Sequence, residues 1–176
     1  MLVASPHSGA SNLHRGAELI PRRHVISGPT AGRCHGCLSV VTGQAHCSLA
    51  GDWDGAAEDA RWALEQGPGE AASPIGRYGA ALAALVLGED ERAGALAGGL
   101  QGEPEEAFPG AVADAVVALA AGEAQAYAAA VARVLESFES RDAYLEDIPV
   151  ADTVLVLEAL AERRGLAARP VSPLLP

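Results

Sequence analysis

The residues best suited to chemistry in this sequence are the cysteines and histidines between positions 34 and 47. Cys34 and Cys37 form a C-x-x-C pair, and His46 and Cys47 follow within ten residues of it. Thiolates and imidazoles are the ligands that zinc prefers, and a C-x-x-C pair supplies half of many zinc sites. These four side chains are therefore the candidate metal ligands, with zinc as the candidate ion.

The spacing argues against one shared site if residues 37–50 form a single helix, as their apolar pattern predicts. Nine residues of helix separate Cys37 from His46 by about half a turn and by more than about 13 Å along the axis. Zn–S bonds are only about 2.3 Å long, so both ligands meet one ion only if the helix begins late or breaks near Gly43. Otherwise Cys47 is a small buried apolar residue, and no cofactor is needed.

Other catalytic signatures are missing from the sequence. The C-x-x-C pair has the spacing of a redox site, but no βαβ pattern surrounds it. Phosphate-binding glycine motifs, a G-x-S-x-G turn and an H-E-x-x-H helix do not occur. The sequence therefore favours a non-catalytic protein, and a small metal or redox protein that uses Cys34, Cys37 and Cys47 is the alternative.

A glycine followed by an acidic residue recurs along the chain between alanine-rich stretches. Three such pairs begin at Gly51, Gly88 and Gly122, which are 37 and 34 residues apart. A period of roughly 34 residues is the size of one helical hairpin in an α-solenoid. The sequence therefore predicts an all-α protein built from antiparallel helical hairpins.

About seven helices follow from the apolar periodicity and from the start and stop signals. Ser73 and Pro74 are a typical N-cap and first-turn pair, whereas Gly94 and Gly98 weaken the helix that contains them. The predicted helices span residues 37–50, 53–66, 75–87, 90–100, 109–121, 123–140 and 150–164.

The stretch Gly51-Asp52-Trp53-Asp54-Gly55-Ala56-Ala57, with Ala63-Leu64-Glu65 and Pro68 after it, resembles a tetratricopeptide repeat. The resemblance implies a right-handed α-solenoid; a compact bundle of alanine-rich helices is the alternative. In that family the first helix of each pair lines a concave groove. Carried over, the groove would consist of Leu38, Val41, Ile75, Tyr78, Leu82, Leu85, Val112, Val116 and Leu119.

So apolar a groove needs a cover. The last helix and the tail are the candidates within the chain, and a partner helix, a peptide or a small molecule are the candidates from outside it. The chain is accordingly divided into a loosely structured segment, residues 1–33, a helical domain, residues 34–165, and an extended proline-rich tail, residues 166–176.

Charge restricts the class of partner. The formal net charge is −11, the chain has 12 arginines and no lysine, and residues after position 33 carry a net charge of −14. An acidic body disfavours nucleic acid and anionic membranes and favours a protein with a basic surface. The absence of a signal peptide or membrane span predicts a cytoplasmic protein, and the lack of lysine indicates a GC-rich, actinobacterial genome.

The C-terminal stretch from Phe138 to Pro176 resembles the tails of helical immunity proteins from bacterial polymorphic toxin systems. The likeness lies in an acidic connection, an Ile148-Pro149-Val150-Ala151-Asp152 helix start, and a Ser-Pro-Leu-Leu-Pro ending. Together these features lead to the hypothesis of a protein–protein interaction module of the immunity type, or of a regulatory type. Its oligomeric state does not follow from the sequence.

Overall fold

Six α-helices make up most of the chain that the computed structural model describes, namely residues 48–65, 73–144 and 148–176. These residues contain no strand, and their helices belong to one compact unit. The helices are α1 (Trp53–Glu65), α2 (Pro74–Leu87), α3 (Asp90–Gly98), α4 (Gly110–Ala121), α5 (Ala124–Glu139) and α6 (Asp152–Arg164).

The prediction of an all-α fold is confirmed. Of the predicted helix over residues 37–50, only the end lies within the described residues, where Ser48 and Leu49 are helical. None of the helices in the described ranges is long and apolar enough to cross a membrane.

The three predicted glycine corners, and also Gly165 at the end of α6, have the left-handed conformation. Gly51, Gly88, Gly122 and Gly165 have φ angles of 75°, 77°, 72° and 70°. The residue after Gly88 donates its backbone N–H to the Ala84 carbonyl at 2.9 Å, and the residues after Gly122 and Gly165 repeat this bond. Glycine is needed here because an L side chain is strained at these angles.

The helix starts also follow from local chemistry. The Ser73 hydroxyl accepts a hydrogen bond from the Gly76 N–H at 3.3 Å, with Pro74 in the first turn of α2. The Asp52 carboxylate accepts the Gly55 N–H at 3.0 Å. A Cβ at Gly55 would lie 2.5 Å from that carboxylate, so the glycine makes room for the cap.

Successive helices pack as antiparallel neighbours, and α2, α4 and α6 also contact one another in order. Ten residues of α2 are buried, and six of them are alanine or glycine. Side chains this small let adjacent helices approach closely, and α2 is buried over most of its length, as its apolar sequence predicts. Tyr78 packs against Phe108 with ring centroids 5.4 Å apart.

The helix after Gly88 is shorter than predicted. Helix α3 ends at Gly98 rather than near residue 100, and residues 101–108 form the loop that leads to Pro109. The Gly99 carbonyl accepts a hydrogen bond from the Arg77 guanidinium at 2.8 Å. Arg77 therefore supports the end of a helix that glycines weaken.

Candidate functional site

The predicted metal ligands Cys34, Cys37, His46 and Cys47 all lie outside the described residues. Residues 48–65, 73–144 and 148–176 contain neither cysteine nor histidine, and no group of three potential metal ligands occurs within them. Zinc binding therefore stays a prediction.

Most of the predicted groove is part of the protein's own core. Leu38 and Val41 lie outside the described residues, and Ile75 is 38% exposed. The other six are buried: Tyr78, Leu82, Leu85, Val112, Val116 and Leu119. Leu174 of the tail belongs to the same core and is 9% exposed, so the chain covers at least part of this apolar surface itself.

The tail is fixed to the helices by hydrogen bonds as well as by Leu174. The half-buried Glu158 carboxylate of α6 accepts the backbone N–H groups of Ala168 and Arg169 at 3.1 and 2.7 Å. The Leu174 carbonyl accepts the Ala151 N–H at 3.0 Å, at the start of α6. The predicted extended tail is therefore a strap that packs along α6.

Two adjacent arginines join the end of α6 to the end of α2. The Arg164 guanidinium donates to the Leu85 carbonyl at 2.6 Å and to the Asp90 carboxylate at 2.8 Å. Arg163 lies 4.5 Å above the Trp53 ring and donates to the Val86 carbonyl at 3.4 Å. These cations thus lie at the negative end of the α2 dipole, and Arg164 also donates to the Leu160 carbonyl of its own helix at 3.4 Å.

All four glycine corners lie at one end of the helical array, the end at which the two arginines join α6 to α2. Since neighbouring helices are antiparallel, the starts of α1, α3 and α5 meet the ends of α2, α4 and α6 there. We call the exposed carboxylates of this end the corner face, which consists of Asp52, Asp54, Glu89, Glu91, Glu123 and Glu162.

The arginines that the structure describes at this end form contacts within the protein. Arg163 and Arg164 point at α1, α2 and Asp90, and Arg92 pairs with Glu89 at 3.0 Å. Carboxylates near helix N-termini also stabilise α1, α3 and α5 through the helix dipole. The corner face is therefore an acidic surface whose shape follows from the glycine corners and from the arginine joint.

Elsewhere in the described part, arginines are again engaged with the protein's own acids. Arg77 pairs with Glu103 at 2.6 Å, and Arg133 pairs with Asp114 at 2.7 Å. A hydrogen bond from Gln101, and then Arg133, hold the pKa of Asp114 below its usual value. The described residues contain 8 arginines and 19 acidic residues, so carboxylates remain in excess after these pairs form.

Carboxylates also occur at the opposite end, in the loop that contains Glu106 and at the end of α5.

An open depression of about 420 Å³ lies at the start of α5. Its described lining is Glu123, Ala124, Gln125 and Ala126. One carboxylate and one amide among small side chains do not converge on a point, unlike the polar groups of a small-molecule site.

Sequence reasoning missed the Glu158 contacts and the target of the arginine pair. Tyr127 is buried on the apolar face of α5, and its hydroxyl donates to Glu158 at 2.7 Å. A buried tyrosine hydroxyl usually has a hydrogen-bond partner, and this rule could have predicted the contact.

No protein-family model, curated protein or solved structure matches this chain.

Proposed function

We propose that this protein is a non-catalytic protein–protein interaction module that binds the basic surface of another protein through its corner face. One observation carries the proposal: carboxylates point outward at this end, while its arginines are held by backbone carbonyls, Asp90, Glu89 and the Trp53 ring. A surface of one charge sign accelerates encounter with a surface of the opposite sign and suppresses wrong partners.

The rigidity of the corner face supports a binding role. Asp52 caps α1, and Glu89 and Glu123 directly follow glycines whose left-handed angles set the direction of the next helix. The Asp52 carboxylate is already held by the Gly55 N–H, so it loses less conformational freedom on binding than a free side chain would, which lowers the cost of association.

The resemblance of residues 138–176 to immunity proteins supports a more specific form of the proposal. An immunity protein acts by covering its toxin, and a basic toxin surface would be complementary to this acidic one. We therefore propose that the partner is a basic protein, of the toxin class, encoded next to this protein's own gene.

Co-expression with the products of the flanking genes tests the proposal, followed by titration calorimetry on any complex at two salt concentrations. The test variant combines Asp54→Asn, Glu91→Gln, Glu123→Gln and Glu162→Gln. The matched control combines Glu106→Gln, Glu136→Gln, Glu139→Gln and Asp142→Asn, which remove the same charge from the opposite end.

The corner variant should bind at least about tenfold more weakly, and the control should lose about threefold or less, because close charge pairs contribute more than distant ones. Equal losses in the two variants would refute the location of the site. A protein that stays monomeric with every flanking product would refute the proposed function.

A further inference from the structure

Helix α1 carries two tryptophans in different surroundings. Trp53 is half-buried, and the Arg163 guanidinium already lies 4.5 Å above its ring. Trp62, nine residues later, is 50% exposed, and no cation lies over its ring among the described residues. One tryptophan of α1 is thus already paired with an arginine of the protein itself. The second tryptophan presents its indole ring to solvent.

Carboxylates lie along one side of the exposed ring on the surface of α1. At about 100° per residue, Asp54, Glu58 and Glu65 fall within about 40° of one another around α1, and Trp62 lies about 40° from Glu58. Arg61 lies in the same stripe, and Glu58 already has a partner within the chain, so Asp54 and Glu65 are the carboxylates available to a ligand. These residues are exposed, whereas the alanines on the opposite side of α1 are buried.

This combination determines the chemistry of a ligand. An arginine side chain can stack on an indole face, and it can donate to carboxylates from the edge of the same planar group. A lysine ammonium has no planar face to stack, and it is more strongly hydrated. A purely apolar partner segment would bury the carboxylates without pairing them, which is unfavourable.

We propose that Trp62 is the anchor of a docking surface on α1 that receives an arginine side chain of a basic protein partner, with Asp54 and Glu65 as its charged border. The proposal rests on the proposed function, because it names where that partner's arginine binds. Its location is continuous with the corner face, since Asp54 belongs to both surfaces. Tryptophan and arginine are also the residues that most often dominate binding energy at protein interfaces.

Two peptides of equal charge, hexa-arginine and hexa-lysine, test the proposal on the full chain without any knowledge of the partner. The Trp53→Phe variant makes Trp62 the single tryptophan and keeps an aromatic ring beneath Arg163. Hexa-arginine should change the Trp62 emission and should bind more tightly than hexa-lysine. Trp62→Leu should reduce that preference by about two- to fivefold, the contribution of an exposed cation–π pair, while Trp62→Phe should retain part of it.

The same ratio of arginine to lysine affinity in wild type and in Trp62→Leu would overturn the proposal, as would an unchanged Trp62 emission. Circular dichroism and urea unfolding establish that each variant is folded. With a natural partner in hand, Trp62→Leu separates the two proposals. A complex that weakens with the corner variant but not with Trp62→Leu refutes the arginine anchor and leaves the proposed function standing.

Discussion

The Tyr127 hydroxyl of α5 donates a hydrogen bond of 2.7 Å to the Glu158 carboxylate of α6. The same carboxylate accepts the backbone N–H groups of Ala168 and Arg169. Arg169 has a φ angle of 52°, which is uncommon for a residue other than glycine. A single side chain thus joins two helices and holds the tail in a strained turn.

Replacing Glu158 by glutamine should loosen the tail. The amide retains one acceptor oxygen, but its NH2 group cannot accept a hydrogen bond from the remaining donors. We expect amide exchange at Ala168 and Arg169 to accelerate about tenfold, and unfolding free energy to fall by about 1–2 kcal/mol. Hydrogen exchange read by NMR and urea unfolding measure the two effects. Glu162→Gln, one turn further along α6, is the matched control and should change neither; unchanged protection in Glu158→Gln would contradict the role of the carboxylate.

Alkaline pH should destabilise the protein through its two buried tyrosines. Burial, and then the nearby Asp152 carboxylate, raise the pKa of Tyr78; burial, and then the hydrogen bond and charge of Glu158, raise the pKa of Tyr127. Both pKa values exceed the unfolded value of about 10, so the associated stability is complete below pH 10 and is lost as pH rises further.

Above pH 10 each tyrosine should lower the unfolding free energy by about 1.4 kcal/mol per pH unit. Tyr127→Phe should remove about half of the combined slope, as measured by urea unfolding between pH 8 and 11.5. Tyr144→Phe is the control, because its hydroxyl donates only to the Phe138 carbonyl from a half-buried position. A slope that is identical in wild type and Tyr127→Phe would contradict the assignment.

Two glycine-to-alanine substitutions should shift stability in opposite directions. Gly94 lies within α3, and an added Cβ would be 3.7 Å from the Ala120 Cβ, an ordinary contact. Gly94→Ala should therefore stabilise the fold by about 0.5–1 kcal/mol. Gly122 has a φ of 72°, and Gly122→Ala should cost about 1–2 kcal/mol. Thermal unfolding of both variants provides the test, and shifts of the same sign would contradict it.

Removing Arg164 should break the joint between α6 and α2. Its side chain is 17% exposed and contacts the Leu85 carbonyl and Asp90. Arg164→Met should cost about 2–3 kcal/mol, because a buried carbonyl loses a charged donor. Arg164→Lys should recover less than half of this, since one ammonium lacks the guanidinium's fork. Arg92→Met is the exposed control, and its unfolding free energy, measured in urea, should stay within about 0.5 kcal/mol of the wild-type value. Equal losses of unfolding free energy for the Arg92 and Arg164 variants would contradict the role of Arg164 in the joint.

Local sequence signals predicted the helices well. Ser73 with Pro74, Asp52, and the glycines at 51, 88, 122 and 165 act through bonds within a few residues of themselves. Their effect depends little on the rest of the fold, which is why they can be recognised from the sequence alone. The predicted end of α3 was two residues too late, because a glycine-rich stretch gives no strong local signal for the residue at which a helix ends.

The groove prediction shows where local reasoning stops. An apolar helix face has the same pattern whether a partner or the protein itself covers it. Tyr78, Leu82 and Val116 are buried, and Leu174, which is far away in sequence, lies in the same core. Apolar periodicity indicates that a helix face is buried, but it does not indicate whether a partner or another part of the chain covers that face.

By itself, the sequence determined an all-helical chain, its glycine corners, its acidic balance and the order of its antiparallel hairpins, because each depends on composition or on neighbouring residues. Only the tertiary structure decided that Arg164 contacts Leu85, 79 positions away, and that Tyr127 contacts Glu158, 31 positions away. Such contacts depend on how helices pack, and many sequences with the same pattern could pack differently. The tertiary structure therefore also decided which charges face inward and which remain on the surface for a partner.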